Sequence, residues 1–536
     1  MELRAPAFSG PAFRQLPALF AGLVIALPVA VVLITGLVDG GGAAWTHIRE
    51  TLLLRYLAGT VSVLSLTAIL CLLMAVPAAW LVSMFRFPGR GMFEWMLVLP
   101  LAAPGYVLAY AWSDLAGVAG PLQSALREAT SWSARDYWFP DISSLPGLSF
   151  VLACTLYPYV YLTARAAFIS QSVCTLEAAR SLGAGAARTF WSVALPAARP
   201  AIAAGLALAL MEAAADYGAA EFLGVPTLTF GIVRAWKSFG EPAAAARLAL
   251  VLLAIVLTFI IVERKARGRA GTQQSSIRWR RISRVTLRGP AAFGAAALCT
   301  SLFTLAFVLP VGRLVWLSLE TGTRSAPVSD ALVNSLLLAG TGAALAFVLA
   351  LIIALTIRAK GPLATFARIA ASSGYAIPGA VLALGALAVI SALPVTLSGA
   401  LALAALAWVY AVRFTAAGTE PMAAALARTP ASIGHAAQSL GASPLRRTFE
   451  VDIPVAMSGA AAGALVLFVE ALKELPATLM LRPFNWDTLS VRAHAYASDE
   501  RLAAAALPAL LITLAGLLPV ILLSWQISRA RPGGAA

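Results

Sequence analysis

Residues 177–196 read EAARSLGAGAARTFWSVALP, and residues 435–454 read HAAQSLGASPLRRTFEVDIP. Glu177, Gly183 and Pro196 map onto His435, Gly441 and Pro454 at one offset of 258 positions, and 178–184 differs from 436–442 at a single place. A match at one offset over such a span is an internal repeat, so the chain is constrained to fold as two related halves. In each copy the Ala-rich opening favours a helix. Gly183 or Gly441 then supplies the backbone freedom for a sharp bend. A second short helix is expected to stop at Pro196 or Pro454, which has no N–H for the ladder. The predicted unit is a helix–Gly–helix knuckle in a polar loop. A plain amphipathic hairpin between two helices is the bland alternative, and recurrence at one offset argues against it.

The surroundings of the knuckles are apolar. Of 536 residues 60% are hydrophobic and 12% charged, far from a soluble globular composition. Runs of about 20 apolar residues, enough to cross a bilayer as a helix, fall near 16–38, 58–85, 92–117, 147–169, 200–223 and 243–262. They return near 291–319, 332–357, 363–393, 399–418, 455–481 and 502–528. The expectation is an all-α polytopic membrane protein of about 12 transmembrane helices, as two tandem sixes. The segments APGYVLAYAW at 103–112 and IPGAVLALGA at 377–386 put Pro104-Gly105 and Pro378-Gly379 inside two spans. Such breaks survive in a membrane where protein or a wet cavity satisfies the freed backbone groups. Residues 119–146 read as a polar, aromatic loop.

The net charge of +15 fits Lys and Arg collecting in cytoplasmic loops. Residues 264–288 hold nine of them with Gln and Ser between. They read as a cytoplasmic linker beside anionic headgroups; the aromatic interleaving of a nucleic-acid binder is missing. Loops with Arg86/Arg90, Arg180/Arg188, Arg358/Lys360 and Arg446/Arg447 fall on the same side as both termini, which are expected to be cytoplasmic. Cys71, Cys154, Cys174 and Cys299 show no metal-ligand or disulfide spacing and read as small apolar residues. The first apolar run lacks a usual cleavage site and reads as a retained helix. The predicted organisation is a first half 1–263 with loop 177–196, the linker 264–288, and a second half 289–536 with loop 435–454.

Charges inside spans cost several kcal/mol and usually face a cavity or a partner. Glu212 and Asp216, four apart in one span, are expected to share a helix face. Glu470 and Glu474 repeat them, with Lys473 alongside. One reading gives both halves carboxylates, with Tyr217, on a shared pathway; the other makes them packing ion pairs. Arg234 and Arg492 match at the same offset.

The two knuckles resemble the coupling motif of the membrane subunits of binding-protein-dependent ABC importers: Glu-Ala-Ala, three residues, Gly, nine residues, Ile, one residue, Leu-Pro. Val193 and Val451 stand for Ile, Ile453 for Leu, and His435 for Glu. The resemblance implies that Glu177, Ala178, Ala179, Gly183 and Pro196, with His435, Ala436, Ala437, Gly441 and Pro454, form loops that dock on separate ATPase subunits. Asp-Tyr-Gly-Ala at 216–219 and Glu-Leu-Pro-Ala-Thr at 474–478 resemble ferric-iron permeases with two fused halves, a likeness that covers nearly the whole chain. Fe(III), a hard ion, favours carboxylate and phenolate oxygen, yet no metal ligands are assigned. The looser role, packing and docking of a loaded binding protein, is preferred.

No Gly-Lys pair occurs in the chain, so a Walker A loop is excluded. The energy must come from other subunits or from an ion gradient. A secondary transporter has no need of two docking loops, and its repeats are often inverted. A membrane enzyme would want clustered polar groups, whereas His47, His435 and His494 are far apart in sequence. The expected protein is therefore a non-enzymatic permease of a bacterial inner membrane, multi-pass and without a cofactor of its own. Two ATP-hydrolysing subunits on the cytoplasmic side and an extracytoplasmic binding protein are its expected partners, with one copy of this chain per transporter. Ferric iron is the expected cargo, with thiamine, a phosphonate or another small solute as the alternative.

Overall fold

The computed structural model describes residues 16–38, 42–170, 183, 185–268, 284–321, 328–356, 361–394, 396, 398–428 and 431–529. Helices dominate. In chain order those used below are α1 Leu16–Val38, α2 Leu53–Met84, α3 Gly105–Ala116, α4 Leu145–Ser170, α5 Leu195–Ala215, α6 Gly218–Phe222 and α7 Leu309–Thr321. They continue with α8 Ser329–Thr356, α9 Pro362–Ala376, α10 Gly379–Ser391, α11 Gly399–Arg428, α12 Ile453–Lys473, α13 Pro476–Leu481 and α14 Leu502–Arg529. Among the described residues nine helices are long and apolar enough to cross a membrane, and two sharply bent pairs raise this to eleven. The twelfth expected span, 455–481, is the 21-residue helix α12, a break, and the short α13.

Two expectations are corrected at this level and one is sharpened. The breaks expected at Pro104-Gly105 and Pro378-Gly379 are present, as turns of 96° and 116° between separate helices. Proline lacks the N–H that a continuing helix needs and disfavours helical geometry in the residue before it; Ala103 and Ile377 are both extended. The polar loop 119–146 contains a helix, Pro121–Thr130, with proline at its favoured first position. The linker is partly structured. The helix from Pro242 runs on to Gly268, and Val285-Thr286 pairs in parallel with Phe85-Arg86.

Packing divides the chain into two units that do not follow the sequence halves. One unit gathers 1–45, 232–250 and 327–492; the other gathers 46–231, 251–326 and 493–536. The boundaries 263 and 289 are therefore not boundaries of packing. Each half lends its first long helix to the other half's unit: α1 lies with α9 and α10, while α7 lies with α3 and α14. An ion pair between Arg313 of α7 and Asp114 of α3 fixes the second loan.

Small residues set the closest crossings, as expected where lipid removes the hydrophobic drive between helices. Gly205 of α5 lies so near α4 that a Cβ there would stand 2.7 Å from the Tyr159 carbonyl oxygen. Gly463, 258 positions on, faces Gly418 of α11. Ala350, Ala354, Met422, Leu426, Ala456 and Ala460 form a buried cluster joining α8, α11 and α12.

Helix α1 illustrates how a broken rule is compensated. Pro28 has no N–H for the carbonyl of Val24, one turn back. The indole Nε1–H of Trp408 donates to that carbonyl at 3.1 Å, satisfying both groups. Trp408→Phe is expected to lower stability by about 1–2 kcal/mol. Pro28→Ala restores an N–H within α1, so the double variant should lose less than Trp408→Phe alone. Thermal unfolding of the detergent-solubilised protein reads this, and additive losses would sink the assignment.

Candidate functional site: coupling loops joined to helix-capping carboxylates

The second knuckle has the helix–Gly–helix form. Residues Ala431–Ser439 are helical, and Gly441 follows with φ 83°. The Ala442 N–H donates to the Ala437 carbonyl at 3.0 Å, closing the helix with a left-handed residue for which glycine is suited. Ser443 Oγ then accepts the Arg446 N–H at 3.2 Å and starts the helix Pro444–Arg447. In the first knuckle Gly183 has φ 82° and the helix Ala186–Thr189 follows. Glu177, Ala178 and Ala179 lie outside the described residues. His435, Ala436 and Ala437 fall on the helix Ala431–Ser439.

Pro196 and Pro454 do not end a helix, contrary to expectation. In both copies a five-residue π turn, Phe190–Ala194 or Thr448–Asp452, leads into α5 or α12 with proline in its first turn. The N–H of Leu195 reaches back to the Phe190 carbonyl, and that of Ile453 to Thr448. The wide turn carries the chain past the missing proline N–H. Residues 187–215 therefore form one helical run. Helices α5 and α12 each have 21 residues, about 31 Å, close to the thickness of a bilayer's hydrocarbon core.

At its far end each long helix stops on a carboxylate. Asp216 is the C-cap of α5 with ψ 112°, and Glu474 that of α12 with ψ 123°. Both have left the helix, so Asp216 does not share a helix face with Glu212, nor Glu474 with Glu470. Each instead turns forward to cap the next short helix. Asp216 Oδ1 accepts the Ala219 N–H at 2.7 Å, and Glu474 Oε1 accepts the Ala477 N–H at 3.1 Å. Glu212 stays on α5, partly buried. Glu470 stays on α12, where Lys473 Nζ donates to it at 2.7 Å.

The Pro-Gly turns meet these carboxylates. A Cβ on Gly105 would stand 2.5 Å from Asp216 Oδ2, and one on Gly379 would overlap Glu474 Oε1. Gly105 opens α3 and Gly379 opens α10, so each carboxylate lies at the start of a helix whose dipole favours negative charge. The sequence marked Pro-Gly and carboxylate separately; the fold places each pair in contact, and spacing gave no sign of it.

The two sites differ in their remaining partners. Arg413 Nη1 pairs with Glu474 Oε2 at 2.8 Å, with both side chains buried. Thr478 Oγ1 and Ser490 Oγ donate to the Glu474 carbonyl, and Tyr410 bonds Thr478 at 2.6 Å. The position 258 before Arg413 is Thr155. Around Asp216 and Tyr217 the neighbours are different. His494 shares a 2.8 Å hydrogen bond with Tyr110 and lies 3.3 Å from Glu221, with the Tyr217 ring 6.0 Å from its own. The corresponding positions of the other copy are Leu384, Leu479 and Val233. Sequence reasoning missed His494 because it is not repeated. Among the described residues no group of three or more His, Cys, Asp or Glu could hold a metal ion.

The Arg234–Arg492 match is coincidental. The Leu228 N–H donates to Thr60 Oγ1 at 2.8 Å and the Leu489 N–H to Ser335 Oγ at 2.7 Å. These equivalent bonds are 261 positions apart, so the register has moved by three residues before either arginine.

With this geometry in hand the likenesses are specific. Residues 64–268 match the family of binding-protein-dependent transport system inner membrane components. The Fe(3+)-transport system permease protein FbpB 2 of Haemophilus influenzae is 25% identical over 527 residues, 96% of this chain and 98% of its own. The molybdenum transport system permease protein ModB of Escherichia coli is 27% identical over 227 residues, covering 40% of this chain and 94% of its own. The sulfate transport system permease protein CysT of the same species is 28% identical over 185 residues, 33% of this chain. Fold and site define an all-α, multi-pass inner-membrane permease. The chain is similar to the permease subunits of binding-protein-dependent ABC importers, and the likeness to a ferric-iron permease runs through both halves of this one polypeptide. Such a subunit works with ATP-binding and substrate-binding partners.

Arg413→Met would leave Glu474 buried without its ion-pair partner, a loss of about 3–5 kcal/mol for a broken buried pair. The yield of monodisperse protein on size exclusion should fall sharply and recover in Arg413→Met/Glu474→Gln. Equal yields for the single and double variants would mean the pair carries no such penalty.

Proposed function

We propose that this permease imports ferric iron, handed over by an extracytoplasmic binding protein and driven by two ATPase subunits that grip residues 177–196 and 435–454. The observation that supports the coupling recurs in both halves: the short helix after Gly183 or Gly441 runs on, through one long helix, to a carboxylate set against the glycine of a Pro-Gly turn. A displacement imposed at the knuckle is carried along about 31 Å of helix to a hinge that a Cβ would jam. Trp191 and Phe449, 258 positions apart and each 67% exposed, offer both knuckles an aromatic contact, the residue class that dominates binding at protein interfaces.

The iron assignment rests on coverage. The ferric-iron relative matches both halves, whereas the molybdenum and sulfate relatives match one. Asp216, Tyr217 and Glu221 add hard oxygen groups that suit a hard cation better than an oxyanion. Glu212, Glu470 and Glu474 are further pathway candidates, each within its own half. The sequence halves 1–263 and 289–536, joined by 264–288, act as the two permease modules. Both termini and both knuckles face the cytoplasm, where ATP is available. The chain binds no nucleotide and no cofactor of its own, and one copy serves each transporter.

Radiolabelled ferric iron uptake, with and without the gene, tests the cargo against molybdate, sulfate, thiamine and a phosphonate. Loss of iron uptake alone is expected; loss of a different solute would move the assignment. Gly441→Pro tests the coupling, since proline is fixed near φ −65° and the site needs 83°. Uptake should fall at least tenfold in Gly441→Pro and in Gly183→Pro, with less ATPase subunit co-purifying. Full uptake and full co-purification in both would end the docking assignment. Glu177→Ala should reduce coupling more than His435→Ala, and equal losses would show that the Glu-to-His difference is immaterial.

A further inference from the structure

The two halves keep one register from knuckle to capped carboxylate and then part by three residues. The extra residues lie in Arg482-Pro483-Phe484-Asn485-Trp486-Asp487, where the first half has Gly224-Val225-Pro226. The insertion is braced. The Asp487 carboxylate pairs with Arg482 at 2.7 Å and with Arg492 at 3.4 Å. Asn334 Nδ2 donates to the Asp487 carbonyl at 3.1 Å, and the Trp486 N–H donates to the Pro483 carbonyl at 3.3 Å. Asn485 sits in the left-handed region with φ 60°, which asparagine tolerates better than most residues. At the tip Phe484 is 91% exposed. Ordering a turn this way costs conformational entropy, and burial of Phe484 within the chain returns none of it.

Connectivity says which face the turn occupies. Pro483 packs beside Gly399, the first residue of α11. Helix α11 then runs 30 residues towards the second knuckle. Helix α12 likewise leads from that knuckle to the Glu474 end. The turn therefore lies at the end of these helices away from the knuckle. Since the knuckles serve the ATPases, this is the face from which a binding protein must approach. A phenyl ring has no polar tip to sit at the headgroup level, unlike the Trp and Tyr of membrane-interface belts, so a protein recess suits it better than the lipid interface.

We propose that residues 482–487 are a docking element for the substrate-loaded binding protein, with Phe484 as the anchor entering an apolar recess on that partner. This rests on the importer reading above. An exposed aromatic on a pre-ordered turn is the kind of group that carries much of an interface's energy.

The test uses right-side-out spheroplasts washed free of periplasm, given radiolabelled ferric citrate and graded amounts of osmotic-shock fluid from the same cells. Phe484→Ala should raise the amount of fluid needed for half-maximal uptake about tenfold or more. The maximal rate at saturating fluid should stay within about twofold, and Phe484→Trp should restore the wild-type requirement. An unchanged half-saturation point in Phe484→Ala overturns the proposal. So does a lower maximal rate at an unchanged half-saturation point, which marks a structural or lipid-anchoring role. Wild-type uptake that needs no shock fluid overturns the importer reading itself, and this proposal with it.

Discussion

The contact between a carboxylate and the glycine of a Pro-Gly turn is the constraint on which the architecture depends. A long helix cannot continue past Asp216 or Glu474, because each has turned out of helical geometry to cap the helix that follows. The carboxylate so displaced needs room, and Gly105 or Gly379 provides it by having no side chain. The preceding proline forces the neighbouring span to bend there, which brings a helix start to the negative charge. Cap, glycine and bend are thus one arrangement. Removing any of them leaves a carboxylate within the spans without its setting, which in a low-dielectric interior costs several kcal/mol.

Much of this was legible in the sequence, for identifiable reasons. The second knuckle was visible because a positive-φ glycine and the Ala-rich helix before it are local features, and the repeated sequence added weight; Gly183 and Gly441 adopt φ values one degree apart. Helix α1 was legible because it is a continuous apolar run of 23 residues. Pro196 and Pro454 misled because a proline reads as a stop, whereas in the first turn of a helix its missing N–H would be unpaired anyway. Asp216 misled because four-residue spacing implies a shared face only if both residues are helical. The exchange of first helices between halves was illegible, since no local pattern records which of two similar partners a helix chooses.

Duplication also explains why polarity had to be placed unequally. Identical halves would carry identical buried charges, and each would need the same compensation. In the second half Arg413 supplies it for Glu474 within one unit. In the first the corresponding position is Thr155, and nearby in sequence or space stand Tyr217, beside Asp216 in the chain, and the linked group Tyr110, His494 and Glu221. The Glu474 copy has Arg413 as a buried ion-pair partner, and the Asp216 copy has Thr155 at that place.

That difference bears on the electrostatics of the two copies. A carboxylate locked to a buried guanidinium has its field largely cancelled at short range, and separating the pair would leave two desolvated charges, a penalty of several kcal/mol per ion. The cluster at Asp216 has no arginine at the equivalent place, and Glu221 keeps close to a third of its side chain exposed. Arg413 thus holds the Glu474 copy from within the membrane-spanning helices, while Tyr217 and Glu221 follow Asp216 in the other copy. A chain with both halves fused can fix such a division of labour, because the two copies diverge residue by residue while their order in the assembly stays the same. A homodimer of a single half would have to carry both chemistries twice.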